Sequence, residues 1–556
     1  MHIKIVKAGK YEYVRLVESF RENGKVKHKV ILNLGRKDII EGNPSFKRLA
    51  ERLLEISGGT VGRADKLQIS EGTLRNYGFI VYRKLWQIFG FDSFFDQLKR
   101  KHTKLQFDLG SVVFLMVVQH LLSPMSKLST YERRSLYLGI PEMDLNQLYR
   151  SLDLLAENKE NIENYVFDRN RTLFNMSVDV VFYDVTTFYF ESVREDGFRD
   201  FGFSKDNKIN EVQVVMGLLI DSEGRPIGYE LFPGNTLDSK TLERSLEKLK
   251  ERFNIRQVII VADRGLNSKL NLSRIKEMGY DYIVASRLKK MPESVIEEVF
   301  DSNGYRLLTP EFLARYKEED EEEFRYKVID YINRYKDEGG EVKELKEKMV
   351  ITYSKKRALK DKADRERLVE KAKELLKEPA RIRASNRRGS KRFILEKGEK
   401  EEYCLNEEAI AADEKFDGYY AIQTSLLDLK AEKVLEAYHT LWKIEESFRI
   451  MKSTLEVRPI FHWTERRIKG HFVVCFLAFL LERTLEYKLK MNGIMMSPNK
   501  IREALNSMMF TEVEINGQLY LIKMKLSEGA TKILRVLRIA SPKNILSIEE
   551  AKAFTW

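Results

Sequence analysis

Cysteine is nearly absent from this 556-residue chain, which has only Cys404 and Cys475. Two thiols in unrelated contexts build neither a disulfide framework nor a cysteine-based zinc site, and they fit a reducing compartment. Histidine is scarce as well, and none of the seven residues shows a metal-binding spacing such as H-x3-H. Long apolar runs are missing. The longest, 111–122 and 473–481, fall short of the roughly 20 residues that a membrane span requires, so both read as buried helices. The opening residues Met1, His2, Ile3 and Lys4 start no apolar signal core. A soluble, cytoplasmic protein is expected. No G-x-G-x-x-G or G-x-x-x-x-G-K-[ST] stretch opens a helix beside a strand, which disfavours a nucleotide-binding Rossmann or P-loop domain.

Charge is abundant. Charged residues make up 33% of the chain, and 97 Lys and Arg against 85 Asp and Glu leave a formal net charge of +12. That balance favours a polyanionic partner, although basicity alone is weak evidence for one. A hydrophobic content of 43% with 11% aromatics belongs to a folded protein of several domains.

The first 36 residues alternate in a β manner around a Glu22-Asn23-Gly24-Lys25 turn, a hairpin signal. Residues 66–175 read as helical, and turns such as the one at 122–127 are compatible with a helix-turn-helix or an ordinary bundle. From 177 the period changes. Stretches 178–183, 211–220, 226–232, 257–262 and 280–286 read as five strands, with helices at 239–253 and 268–278 between the later ones. Three successive strands followed by strand–helix–strand alternation indicate a mixed α/β sheet. Residues 291–414 break this regularity with Lys/Glu-rich segments and isolated strands. Within them, 381–392 carries six cations, Arg387 and Arg388 among them, and no acid. It is a DNA-contact candidate, with a plain surface loop as the alternative. Residues 491–556 read as a closing helix and hairpin.

Two acids end apolar strands. Asp184 follows 178–183, and Asp263 follows 258–262; open sheets place ligand-binding groups at such strand ends. A turn-forming Asp is the alternative for either residue alone. A third acid, Glu445, lies midway between Tyr438 and Lys452. On a helix this seven-residue spacing makes one stripe that drifts about 20° per step. Glu446 projects about 100° from Glu445, which favours Glu445 as the ligand. Three converging carboxylates repel unless a cation neutralises them. Hard oxygen donors favour Mg²⁺ or Mn²⁺, and a pair of such ions supports in-line displacement at phosphorus.

With these residues the chain resembles the DDE transposases of prokaryotic insertion sequences, in particular the subgroup with a Tyr-x2-Arg-x3-Glu-x6-Lys signature. Tyr438, Glu445 and Lys452 match three of its four positions. Asp184-Val185-Thr186-Thr187 and Ala262-Asp263-Arg264 match the two Asp motifs. The family's Arg falls on Leu441, which shares an apolar face with Ile444, Phe448 and Met451. Lys443 and Arg449 are the neighbouring cations, and Arg449, about 40° from Glu445, is the better substitute.

The resemblance implies a ribonuclease-H-like catalytic core, residues 176–290 and 415–490, interrupted by a mostly β insertion at 291–414. An N-terminal β-hairpin segment at 1–65, a helical DNA-binding domain at 66–175 and a C-terminal region at 491–556 complete the expected organisation. The implied activity is cleavage at the element ends and joining of the 3′-hydroxyls to target DNA. Asp184, Asp263 and Glu445 would be catalytic and would hold two Mg²⁺ or Mn²⁺ ions. Tyr438, Lys452, Arg449, Arg387 and Arg388 would touch double-stranded DNA, and pairing two ends would need a homodimer on the DNA. Relatives that form hairpins stack a flipped base on an insertion aromatic, often Trp. Here Trp86, Trp442, Trp463 and Trp556 all lie outside the insertion. The alternative reading is a metal-dependent endonuclease or junction resolvase of the same fold, which cuts without joining. An aspartyl-phosphate hydrolase is disfavoured because the position two residues after Asp184 is Thr186.

Overall fold

The computed structural model describes residues 1–22, 25–57, 74–102, 105–174, 176, 179–202, 211–236, 238–253, 258–309, 311–312, 324–336, 339–378, 382, 389–397, 402–515 and 518–555. They fall into two compact units. One comprises Met1–Arg75, Met509–Lys525 and Pro542–Trp556, the other Asn76–Met508 and Leu526–Ser541. In the first unit β1 (His2–Ala8), β2 (Tyr11–Glu22) and β3 (Lys25–Arg36) form an antiparallel meander, in which Glu22 pairs with Lys25. The tip of that hairpin, Asn23-Gly24, lies outside the described residues. A short β4 (Leu74–Asn76) joins a small sheet formed further along the chain.

The second unit is organised by a nine-stranded sheet. Its first five strands are β5 (Val180–Tyr189), β6 (Gln213–Asp221), β7 (Pro226–Pro233), β8 (Ile259–Ala262) and β9 (Asp281–Ala285). β5, β6 and β7 are antiparallel neighbours, whereas β5, β8 and β9 run parallel. This is the mixed sheet that the strand pattern predicts, and the ribonuclease-H-like core that the family resemblance implies. All nine residues of β6 are buried, as expected of a strand covered on both faces. On one face Tyr183, Val185 and Val215 pack with Leu242 and Leu246 of helix Asp238–Phe253 and with Leu272 and Ile275 of helix Lys269–Glu277. On the other, the 27-residue helix Glu465–Met491 sets Phe472 against Phe188 and Phe476 against Tyr229, each with ring centroids 5.3 Å apart. Burying such a side chain contributes roughly 1.5–3 kcal/mol, so this face is firmly held.

The segment after β9 extends the same sheet. It contributes β10 (Arg306–Leu307), β11 (Phe324–Lys336) and β12 (Val342–Ser354), then a separate two-stranded pair, β13 (Ile394–Lys397) and β14 (Glu402–Leu405). β15 (Tyr419–Thr424) returns to the core and lies between β12 and β9, giving the order β10-β11-β12-β15-β9-β8-β5-β6-β7. A 22-residue helix, Lys355–Leu376, starts directly at the end of β12, with Ser354 as its N-cap. Arg365, 5% exposed, pairs with Asp417 and ties that helix to the turn before β15. Buried Glu347 of β12 joins the extension to the core. It accepts hydrogen bonds from the Tyr282 hydroxyl at 2.5 Å and from Gln423 at 3.1 Å.

Helices Ile80–Phe89, Phe91–Lys101, Leu109–Leu122, Lys127–Glu132, Leu145–Glu157 and Lys159–Phe174 precede the sheet in the same unit. Leu109–Leu122 is buried at every position, as its continuous apolar run requires. Helices Leu109–Leu122 and Leu145–Glu157 pack on Glu465–Met491. Gly470 permits the second contact, since a Cβ there would lie 2.0 Å from the Leu152 carbonyl oxygen. In the first unit β16 (Met509–Ile515), β17 (Gln518–Lys523) and β18 (Ile545–Ser547) complete the sheet that β4 joins. Among the described residues no helix is long and apolar enough to cross a membrane.

Candidate active site

The parallel register of β5 and β8 sets the first two acids. Val180 pairs with Ile259, Val181 with Ile260 and Phe182 with Val261, a constant offset of 79. The same offset carries Asp184 to Asp263, one position past the end of β8 (263 − 184 = 79). Asp184 lies inside β5 and Asp263 in the turn that follows β8, so only Asp263 stands at a strand end. Because side chains alternate, Asp184 shares its face with Phe188, and that face is covered by helices Trp442–Arg449 and Glu465–Met491. The turn after Asp263 is pinned. Arg287 Nε donates to the Arg264 carbonyl at 3.2 Å, and Asn267 donates to the Ala285 carbonyl at 2.8 Å and to Gln423 at 2.6 Å.

The third acid is delivered differently from the expected single helix. Helix Ala431–His439 ends at Thr440, helix Trp442–Arg449 begins after Leu441, and a π-helical turn spans Ile450–Thr454. The reason is local. The Thr440 hydroxyl donates to the Glu436 carbonyl at 2.9 Å, and the backbone tightens to three-residue bonds, Leu441 N–H to Tyr438 and Ile444 N–H to Leu441. Such side-chain back-bonding bends helices, and π turns recur at functional sites. Tyr438, Glu445 and Lys452 therefore do not form one continuous stripe.

Tyr438 and Glu445 nonetheless share one cavity, whose lining does not include Lys452. Asp263 lines the same cavity, whose volume is about 1020 Å³. Asp184 is not among its lining residues and stands beside it through its register with Asp263. Glu445 is exposed, whereas Glu446 is held by Arg483 at 3.1 Å, which also binds Glu486 at 2.7 Å. Lys452 places its ammonium 5.7 Å from the Phe188 ring centroid, over the strand face that carries Asp184. Leu441 is buried at 7% exposure and also lines the cavity. Arg449 is turned out, with a 72% exposed side chain 3.9 Å from Glu446, and does not line it. Lys443 is spent on the Ser222 carbonyl. Arg387 and Arg388 lie outside the described residues.

The cavity also contains groups that the sequence reading does not single out. Tyr438 shares a 2.5 Å hydroxyl contact with Tyr420 of β15. Burial, the Tyr420 hydroxyl and the Asp263 charge all raise the Tyr438 pKa, while Arg357 opposes them. The phenol is thus a neutral hydrogen-bond donor at ordinary pH. Helix Lys355–Leu376 brings Lys356, Arg357 and Lys360 to the opposite wall. With Arg264 these make four cations in the lining, alongside four carboxylates, Asp263, Asp361, Asp364 and Glu445, of which Asp361 and Asp364 belong to the same helix. Residues so distant in sequence meet only because β12 pairs with β15.

A buried cluster away from this cavity brings His120, His471 and Cys475 within 4.8 Å of one another. Its centre is held by the Lys127 ammonium, 3.0 Å from His120 Nε2 and 3.5 Å from His471 Nδ1. The remaining ring nitrogens donate to the Leu455 and Val457 carbonyls. Burial and the Lys127 charge push His120 down to about 3. These neutral rings and one ammonium form a satisfied polar core that ties the helices to the chain following the Glu445 helix.

Residues 177–481 match the family model described as the transposase DDE domain, and residues 3–65 match that of the IS1634 family transposase, N-terminal domain. No curated protein matches the chain. Among solved structures, the piggyBac transposase synaptic complex with hairpin DNA is similar at 10% identity, covering 80% of this chain and 82% of that one, with a TM-score of 0.36. The Mos1 transposase paired-end complex with the left transposon end aligns at 14% identity over 30% of this chain and 56% of that one, TM-score 0.15. A pre-cleavage Mos1 transpososome aligns at 14% over 31% and 58%, TM-score 0.14.

Proposed function

Because this chain belongs to the DDE transposase family, whose domain model spans residues 177–481, we propose that it binds the two ends of an insertion sequence, hydrolyses the phosphodiester at each, and joins the freed 3′-hydroxyls to target DNA. What supports this reading is the parallel pairing of β5 and β8, whose offset of 79, continued past the end of β8, brings Asp184 level with Asp263, and the presence of Glu445 with Asp263 in the lining of one cavity. Converging carboxylates need a cation, and an all-oxygen donor set suits a hard divalent ion. Asp184, Asp263 and Glu445 would hold Mg²⁺ or Mn²⁺, two ions in the full reaction, which when bound supply charge stabilisation for displacement at phosphorus.

The chain's own residues supply the remainder. Tyr438, neutral and hydrogen-bonded to Tyr420, lines the cavity that the DNA backbone would enter. Lys452 adds a positive charge over the Asp184 side of the sheet. Such phosphate contacts position the duplex and make binding salt-dependent, without reading sequence. Four cations balance four carboxylates around the cavity, so a bound divalent ion makes it net positive and receptive to a polyanion. Sequence reading is assigned to the helical region within 66–175, and the pairing of two ends to a homodimer on DNA.

The test is a strand-transfer assay with the full chain, Mg²⁺ and a pre-cleaved duplex carrying the DNA that flanks its reading frame. Joined product is the expected result. Hydrolysis with no joined product would instead assign the fold to a nuclease.

A further inference from the structure

We propose that Arg357, from the segment inserted between β9 and β15, is the cation that grips the DNA phosphate at the active site, in place of the arginine that the family signature puts at position 441. The inference rests on the transposase reading above. Position 441 is a buried leucine on the cavity wall, so the Glu445 helix brings no cation to that spot. The cations nearby on the same stretch are committed elsewhere: Arg449 is turned out beside Glu446, and Lys443 is bound to the Ser222 carbonyl.

Arg357 reaches the same cavity from the opposite wall. Its guanidinium carbon lies 4.3 Å from the centroid of the Tyr420 ring, and the Tyr420 hydroxyl is the one that meets Tyr438. Stacking on an aromatic face fixes the plane of the guanidinium, which otherwise loses rotamer freedom on binding. Its ion pair with Asp361 is long, 3.6 Å, and its side chain is 45% exposed. Donors therefore remain for an incoming anion, and the planar fork matches two oxygens of a phosphate. Asp263, Tyr438 and Arg357 all line this one cavity. Arg357 is a phosphate-contacting residue in this account, and Tyr420 positions it.

The experiment compares wild type, Arg357→Ala, Arg357→Lys and, as a control on the same helix, Lys373→Ala. Two quantities are read with a duplex carrying the DNA that flanks the reading frame. The first is the cleavage rate in Mg²⁺. The second is the slope of log affinity against log salt, without divalent metal. Loss of one phosphate contact lowers that slope by about 0.9. Arg357→Ala is expected to show this loss together with a cleavage rate reduced about ten- to hundredfold. Arg357→Lys is expected to keep the slope and recover only part of the rate, because the charge remains and the fork does not. Lys373→Ala should match wild type in both. If wild type cleaves and Arg357→Ala retains both rate and slope, the proposal is overturned and the transposase reading stands. If wild type neither binds nor cleaves this DNA, the transposase reading fails and the proposal falls with it.

Discussion

The hydroxyls of Tyr420 and Tyr438 lie 2.5 Å apart, linking β15 to the helix that ends just before the Glu445 helix. One phenol comes from the sheet and the other from the signature stretch, so the contact sets how far Tyr438 reaches toward Asp263. Tyr438→Phe keeps the ring and removes the donor. Single-turnover cleavage should fall about two- to tenfold, the worth of one net hydrogen bond, with the thermal unfolding midpoint little changed. An unchanged rate would remove Tyr438 from the site.

Glu445 and Glu446 are adjacent in sequence and opposite in use. Glu446→Gln weakens the grip on Arg483, which is 10% exposed. It should cost about 1 kcal/mol of stability and leave cleavage within about threefold. Glu445→Gln removes a carboxylate beside Asp263, so stability should hold or rise while cleavage drops more than about a thousandfold. Paired denaturation and cleavage measurements separate the two residues, and swapped outcomes would reassign the acid.

Burial pushes Glu347 up from its ordinary 4.5 to about 7, against the opposing hydrogen bonds from Tyr282, Asn333 and Gln423. The folded state therefore favours the protonated acid. This contribution is fully present below pH 4.5 and is lost as pH rises toward and through 7. Glu347→Gln lacks the titration. Between pH 5 and pH 8 the wild type should lose about 2–3 kcal/mol relative to this variant, as read by chemical denaturation. A pH-independent difference would contradict the assignment.

Gly470→Ala places a methyl 2.0 Å from the Leu152 carbonyl oxygen. Backbone cannot move aside as a flexible side chain does, so helices Leu145–Glu157 and Glu465–Met491 must separate. A destabilisation of about 1–3 kcal/mol or more is expected, visible as an earlier denaturant midpoint. An unshifted midpoint would mean that the helices are not in close contact.

Asp263, Tyr438 and Glu445, which the sequence singles out, do meet in one cavity, for identifiable reasons. Asp263 stands one position past β8, as its apolar run announces, whereas Asp184, expected at a strand end, lies inside β5, which continues to Tyr189. What a one-dimensional reading cannot supply is register, and the common offset of 79 is a property of the pairing alone. The seven-residue spacing of Tyr438, Glu445 and Lys452 reads as one helix because every residue there is a tolerable helix former. The break at Thr440 coincides with a side-chain hydrogen bond to the Glu436 carbonyl and a switch to three-residue backbone bonds, neither of which has a signal in the residue spacing. Arg357 lies 88 residues before Glu445 in a charge-rich stretch where any one cation looks like solvated surface (445 − 357 = 88). Only the pairing of β12 with β15 brings it to the cavity. Lys127, His120 and His471 are similarly scattered, and meet through helix packing that has no short-range signal.

The most direct test of the central claim is cleavage and strand transfer by the full chain in Mg²⁺, on a plasmid carrying its reading frame with the native flanking DNA. Wild type is compared with Asp184→Asn, Asp263→Asn and Glu445→Gln. Wild type should excise or join the flanked segment, and each variant should lose activity by more than about a thousandfold while still binding the DNA. Full activity in all three variants would contradict the assigned site.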